Sequence, residues 1–254
     1  MIDLETARSA VVREAYDYAA RLRALDEGLW STPTRCAGWT VRDLAIHLVG
    51  ASDAQACALD RMRDESHASP AIARPGLADA AASRILDDLD AGVAHLAAAI
   101  ESLQPGDLDR QCPLPLGLLP GVVALQIITF EHGLHANDLR WALGDEAPLA
   151  GDVVRAAAAA MGAALPLLAQ RSQSRPADGM CYRLRGDTVA LAYVAADGGW
   201  RLWHGDSAPT TEIAGDDSSV MLFAMGRIPA THPSLHVAGD LAGAQRFKEY
   251  FPGP

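Results

Sequence analysis

Residues 122–140 read VVALQIITFEHGLHANDLR, an apolar run followed at once by a glutamate and two histidines. The run is apolar enough for a buried helix, and a helix that continues through it places Glu131 and His135 one turn apart on the same face. A buried charge needs a partner, because leaving it unpaired is costly. A carboxylate and an imidazole at this spacing can share a divalent metal ion. The stretch therefore predicts a buried helix that carries part of a metal site.

A second helix, earlier in the chain, is expected to supply the remaining ligand of the site. Residues 40–43 are typical of a capping box, with Thr40 as the N-cap and Asp43 in place of the usual glutamate. A helix from 41 to about 63 follows, and its spacing turns His47 inward among apolar neighbours. A histidine in that environment needs a hydrogen-bond partner or a metal ion.

The candidate ligand set is His47, Glu131 and His135. Two imidazoles and one carboxylate leave an open position for water or substrate, which is typical of catalytic zinc rather than structural zinc. In the alternative interpretation these residues have a structural role. His47 is then a core histidine whose hydrogen bonds are satisfied, and Glu131 forms an ion pair with an arginine. Two neighbours leave further choices open. His132 can share the face of His135, and Asp138 either orients the ring of His135 or is an ordinary surface acid.

The hydrophobic periodicity divides the chain into two parts. Four amphipathic helices are predicted in the first part, at 3–25, 41–63, 77–103 and 121–144, joined by loops that include 64–76 and 104–121. Short alternating runs after an Ala-rich helix predict a mixed second part, with helices at 152–170, 218–225 and 241–250 and strands at 180–184, 189–194, 200–204 and 235–237. The predicted class is α+β, with a four-helix bundle at 1–148 and a smaller α+β domain at 149–254.

Composition limits the partners. The formal net charge of −11 at pH 7 and the lack of clustered Lys and Arg argue against nucleic acid and anionic membrane surfaces, and favour a small-molecule partner. We find neither a signal peptide nor the roughly eighteen uninterrupted apolar residues of a membrane span, so we expect a cytoplasmic protein, monomeric by default. The four cysteines lack CxxC spacing and are expected to be free, buried thiols: Cys36, Cys57, Cys112 and Cys181.

The other chemistry-bearing residues give weaker signals. Arg227 follows Gly226 after the predicted helix at 218–225, and its guanidinium could bind a substrate carboxylate with two hydrogen bonds. A solvated surface arginine is the alternative. The remaining histidines have no carboxylate at ligand spacing and are predicted to be isolated surface or packing residues: His67, His95, His204, His232 and His236.

One motif carries a family resemblance. The segment 36–48, CAGWTVRDLAIHL, together with Glu131 and His135 on the fourth helix, resembles the mycothiol-dependent maleylpyruvate isomerase family of actinobacteria. That family joins a DinB-like four-helix bundle to a smaller C-terminal α+β domain similar to sterol carrier proteins. The segments 222–229 and 237–240, LFAMGRIP and VAGD, resemble the family's Gly-Arg and Gly-Asp signatures more loosely.

The resemblance implies a function and a site. A zinc ion, or another divalent metal, would be held by His47, Glu131 and His135, with mycothiol as cofactor and Arg227 as the best candidate for a catalytic arginine. Zinc lowers the pKa of a bound thiol, and the thiolate can add to an activated double bond or displace a leaving group. The implied protein is an isomerase or S-transferase acting on a small electrophile. The alternative is a non-catalytic protein that binds an apolar ligand in its C-terminal domain.

Overall fold

The structure is a computed structural model that describes residues 1–66, 68, 70, 76–205 and 208–253. The chain separates into two units, Ile2–Ala156 and a second from Ala157 onward that also takes in Met1. Helices make up most of the first unit, and the second holds a five-stranded sheet. The α+β class is therefore confirmed. The division falls inside a helix, and the domain boundary at 148/149 stays a prediction.

All four predicted bundle helices are present in the first unit. They are α1 (Leu4–Arg23), α2 (Val41–Arg63), α3 (Ala82–Glu101) and α4 (Gly121–Ala142). Within the bundle, α1 packs on α3 and α4, and α2 also packs on α3 and α4. The α3 helix begins later than predicted, because residues 77–81 form turns. Part of the predicted loop at 64–76, including His67, lies outside the described residues.

The N-terminus of α2 has the predicted capping box. The Thr40 side chain accepts a hydrogen bond from the Asp43 N–H, and Asp43 Oδ2 accepts one from the Thr40 N–H at 2.8 Å. The preceding turn depends on Gly38, whose φ of 80° favours glycine, and on a β-bridge between Pro33 and Thr40. This local chemistry fixes where α2 starts and therefore where His47 lies.

The connection between α3 and α4 is more regular than predicted. Instead of an irregular loop at 104–121, it contains a short 3₁₀ helix (Pro105–Asp109) and an antiparallel hairpin of β1 (Gln111–Leu114) and β2 (Gly117–Pro120). The prediction was wrong because each strand is short and contains a proline, which is a signal against strand structure.

The second part of the chain begins with α5 (Gly151–Ala169), which contains the division between the two units. The sheet has the order β5-β4-β3-β6-β7, and only the β3–β6 pair is parallel. Its elements are β3 (Cys181–Arg185), β4 (Ala190–Ala196), β5 (Gly199–Leu202), β6 (Thr211–Gly215), α6 (Asp217–Ala224), β7 (Leu235–Gly239), α7 (Leu241–Gln245) and α8 (Phe247–Tyr250). Strand β6 was not predicted from the sequence, and the predicted helix at 241–250 is in fact two short helices, α7 and α8.

One helix has the composition of a membrane span. Among the described residues, α5 is long and apolar enough to cross a membrane, with a mean hydropathy of 1.5, and half of it is buried inside the protein. Length and composition do not distinguish a span from a core helix. None of the four cysteines, all of which lie among the described residues, forms a disulfide bond, as predicted. Cys36, Cys112 and Cys181 are buried, whereas Cys57 is partly exposed, so the expectation of burial is wrong for that residue.

Candidate metal centre

The three predicted ligands meet at one point in the bundle. His47 extends from α2, and Glu131 and His135 extend from successive turns of α4. The His47 Nε2 lies 3.0 Å from Glu131 Oε1, and the His135 Nε2 lies 3.6 Å from the same oxygen. One ligand atom from each residue lies within 4.8 Å of the others. Among the described residues, the carboxylate of Glu131 contacts these two histidines rather than an arginine.

The centre has a closed side and an open side. The side chain of His135 is 6% exposed, whereas those of His47 and Glu131 are 21% and 23% exposed. Trp39 covers part of the centre, with its ring centroid 5.0 Å from that of His47 and 6.1 Å from that of His135. Solvent therefore reaches the centre at His47 and Glu131, whereas His135 is shielded from it.

The ring of His135 is held from behind by a buried acid. His135 Nδ1 donates to Asp138 Oδ2 at 3.0 Å, and Asp138 has no exposed surface. The same oxygen accepts a hydrogen bond from the Cys36 thiol at 3.2 Å. With Nδ1 held by Asp138, Nε2 is the nitrogen that faces Glu131, and a carboxylate behind the opposite nitrogen is the arrangement found around metal-ligating histidines. The interpretation of Asp138 as a surface acid is wrong, and sequence spacing did not single out Cys36.

The electrostatics favour an anionic carboxylate at the centre. Burial would raise the pKa of Glu131, but hydrogen bonds from His135 and His47 outweigh it and hold that pKa well below its usual range. Burial would lower the pKa of His135, but Asp138, Cys36 and Glu131 together hold it well above its usual value. An ionised carboxylate is the state that metal binding requires.

His132 does not join the three ligands, although it is next to Glu131 in sequence. Its Nε2 donates to Gln55 Oε1 at 2.7 Å, and its Nδ1 accepts from the Tyr18 hydroxyl at 3.0 Å. The ring is fully buried, and burial lowers its pKa to about 4. His132 is therefore a neutral core residue with both nitrogens satisfied, and it faces away from the centre.

Arg227 belongs to the C-terminal unit, just beyond α6. It is partly buried, and its Nη1 donates to the Met225 carbonyl at 2.9 Å. Together with Lys248 and Phe223 it lines a cleft of about 430 Å³. Two basic residues thus lie beside one cleft of this unit.

The other histidines differ in their surroundings. His204 and His236 are exposed, and His232 Nδ1 is 2.7 Å from the Ser234 hydroxyl. His95 was predicted to stand alone, and that prediction is wrong, because its ring lies between two aspartates of α2.

Comparisons with known proteins agree with this fold. Residues 11–140 match the sequence model of the mycothiol maleylpyruvate isomerase N-terminal domain. The crystal structure of the mycothiol-dependent maleylpyruvate isomerase aligns over 93% of each chain, with a TM-score of 0.68 and 16% identity. The crystal structure of a histidine-to-alanine mutant of the mycothiol-dependent maleylpyruvate isomerase also aligns over 93% of each chain, with a TM-score of 0.66 and 17% identity. No curated protein sequence matches the chain.

The chain has a four-helix bundle in which imidazole and carboxylate groups meet between facing helices, and a small α+β unit follows it. This combination defines a DinB-like protein with a C-terminal extension. Because the family model matches more than half of the chain, the protein belongs to the mycothiol maleylpyruvate isomerase family.

Proposed function

We propose that this protein is a metal-dependent, mycothiol-using enzyme, either an isomerase or an S-transferase, that acts on a small electrophilic substrate. The observation that carries the proposal is the convergence of His47, Glu131 and His135 from two helices, with Asp138 behind His135. Family membership supports the use of mycothiol. We also propose that the protein is a cytoplasmic monomer that binds neither nucleic acid nor membranes.

The three side chains fit a divalent metal, most naturally zinc. Two ligands that each lie about 2.0–2.1 Å from one tetrahedral zinc ion are roughly 3.3 Å apart. The His47–Glu131 and His135–Glu131 separations of 3.0 Å and 3.6 Å bracket that value. Two neutral imidazoles and one carboxylate also match the donor types of catalytic zinc.

A divalent metal at this position would lower the pKa of a thiol such as that of mycothiol and favour the thiolate. A thiolate adds reversibly to a conjugated double bond, which permits rotation from cis to trans before the carbon–sulfur bond breaks again, and it can also displace a leaving group. The residues of the chain would position these groups. Asp138 holds the His135 ring by accepting from Nδ1, Trp39 supplies an apolar wall, and the open side admits the electrophile.

Arg227 is proposed to bind a carboxylate of the substrate. Its guanidinium can hold a carboxylate with two parallel hydrogen bonds, and Lys248 adds a second basic group at the same cleft. The cleft does not support the alternative function, non-catalytic binding of an apolar ligand, because two of the residues that line it are basic.

Elemental analysis tests the metal site directly. Wild type and the Glu131→Ala and His135→Ala variants are purified without a metal-binding tag and compared with His204→Ala, an exposed histidine in the other unit. We expect each of the first two variants to hold one equivalent of metal less than wild type, and His204→Ala to hold as much. Metal content that is equal in all four proteins would refute the site. Thiol adducts of model electrophiles, followed by mass spectrometry, then test the reaction.

A further inference from the structure

A second cluster of metal-ligating side chains lies between α2 and α3. It consists of Asp53 and Cys57 on α2 and His95 on α3, and one ligand atom from each lies within 4.8 Å of the others. All three side chains are partly exposed. None of them belongs to the candidate metal centre, and the cluster plays no part in the proposed function.

The backbone of two closely packed helices holds the cluster together. Asp53, Cys57 and Asp60 recur at intervals of four and three residues, so they form one stripe on α2. The α3 helix approaches α2 closely at Gly92, where a Cβ atom would come within 3.4 Å of Ser52 Cβ. His95 follows Gly92 by three residues and therefore lies on the same face of α3.

The orientation of the His95 ring is that of a metal ligand with a carboxylate behind it. Nδ1 lies 3.1 Å from Asp53 Oδ1, and Nε2 lies 3.1 Å from Asp60 Oδ2. A histidine that binds a metal through one nitrogen almost always donates its other N–H to a carboxylate, a carbonyl or water. Asp60 is placed to accept that bond and is itself held by Arg63. The separation between Nδ1 and Asp53 is also close to the roughly 3.3 Å between two ligands of one tetrahedral ion.

We propose that Asp53, Cys57 and His95 form a second site for a divalent metal, with Asp60 as the residue that positions His95. A thiolate and an imidazole exclude magnesium and calcium and select zinc or a zinc-like ion such as Co²⁺. Binding would release the Cys57 thiol proton to solvent and leave a fourth position for water. Because the ligands come from two helices, the ion would tie α2 to α3, and its binding free energy would add to the stability of the bundle.

Titration with Co²⁺ tests this proposal, because a cobalt–thiolate bond gives a charge-transfer absorption in the near ultraviolet that imidazole and carboxylate ligands do not give. Metal-free wild type should show this band, saturating at one thiolate-bound Co²⁺ per chain. The Cys57→Ser and His95→Ala variants should lose it. Cys36→Ser is the matched control, since Cys36 lies beside the first centre, and it should keep the band. Absence of the band in wild type, or its persistence in Cys57→Ser, would overturn the proposal.

The Asp60→Asn variant tests the positioning role separately. It keeps all three ligands, so the band should remain, but the affinity for Co²⁺ should fall by about 10–100-fold. An unchanged affinity would exclude Asp60 as the partner of His95. Far-ultraviolet circular dichroism of each variant, compared with wild type, establishes that the helices are intact.

Discussion

Asp138 and His135 are joined by a hydrogen bond of 3.0 Å inside the bundle, where the carboxylate has no exposed surface. A fully buried carboxylate is costly unless its partners compensate it. Here the imidazole and the Cys36 thiol both donate to one oxygen. The pair therefore fixes the ring of His135 with Nε2 facing Glu131, before any ligand arrives.

The Asp138→Asn substitution should weaken metal binding while leaving all three ligands in place. An amide is a poorer acceptor for Nδ1–H and does not polarise the ring, so we expect a loss in affinity of about 10–100-fold. Competition with a chromophoric chelator measures it, in a Cys57→Ser background so that the second proposed site does not contribute. Asp88→Asn, which alters a surface ion pair with Arg84, is the control and should bind as the parent does. Equal affinities would show that Asp138 does not support the centre.

Gly133→Ala should destabilise the bundle, although alanine favours helices. A Cβ atom at this position of α4 would lie 2.4 Å from both Cγ atoms of Val153 on α5, which is a severe overlap. We expect a loss of about 1–3 kcal/mol in the free energy of unfolding. Adding Val153→Ala should recover part of it, because the two positions are in direct contact. Gly106→Ala, with open space around it, is the control, and denaturant unfolding is the measurement.

Thr40→Ala should also lower stability, through the start of α2. The substitution leaves the Asp43 N–H without its side-chain acceptor and removes the hydroxyl that contacts Asp43 Oδ2 at 2.6 Å. We expect a loss of about 1 kcal/mol, and Thr40→Ser should restore most of it. If Thr40→Ser is as unstable as Thr40→Ala in urea unfolding, the methyl group rather than the cap is responsible.

Lys248 should titrate far below the ordinary range for lysine. Burial, followed by the charge of Arg227, lowers its pKa from 10.5 to about 8. Lys248 is the only lysine in the sequence, so protein labelled with ¹³C-lysine gives a single side-chain signal whose pH titration reports this pKa directly. A midpoint near 10.5 would show that the amine is solvated.

The lowered pKa of Lys248 also makes the free energy of unfolding depend on pH. The folded state holds the Lys248 proton less tightly than the unfolded state, so wild type should gain stability as the pH rises from about 8 to 10.5. Below pH 8 the full cost of the buried charge is present. Lys248→Met removes the charge, and its stability relative to wild type should be highest below pH 8 and should decline up to pH 10.5. A constant difference between the two proteins would contradict the depressed pKa.

Local signals in the sequence were sufficient for much of the fold. The Thr40–Asp43 capping box and the apolar periodicity predicted α2 because these interactions lie within one or two turns of the chain. The hairpin at 111–120 and strand β6 were missed, since such short strands are stabilised by pairing with distant residues rather than by local preference. The neighbours of His95 were missed for the same reason, because Asp53 and Asp60 lie on another helix.

The spacing of Glu131 and His135 was enough to place them on one helix face, because the helical repeat dictates that relationship. The sequence also predicted that His47 would turn inward from α2. Other relationships depend on how the helices pack. Packing brings His47 within 3.0 Å of Glu131 and buries Asp138 behind His135. It also turns His132 toward Tyr18 and Gln55. The helical repeat sets the direction of a side chain around its own axis. The rotation of one helix against its neighbour, which depends on packing along their whole length, decides which side chains meet.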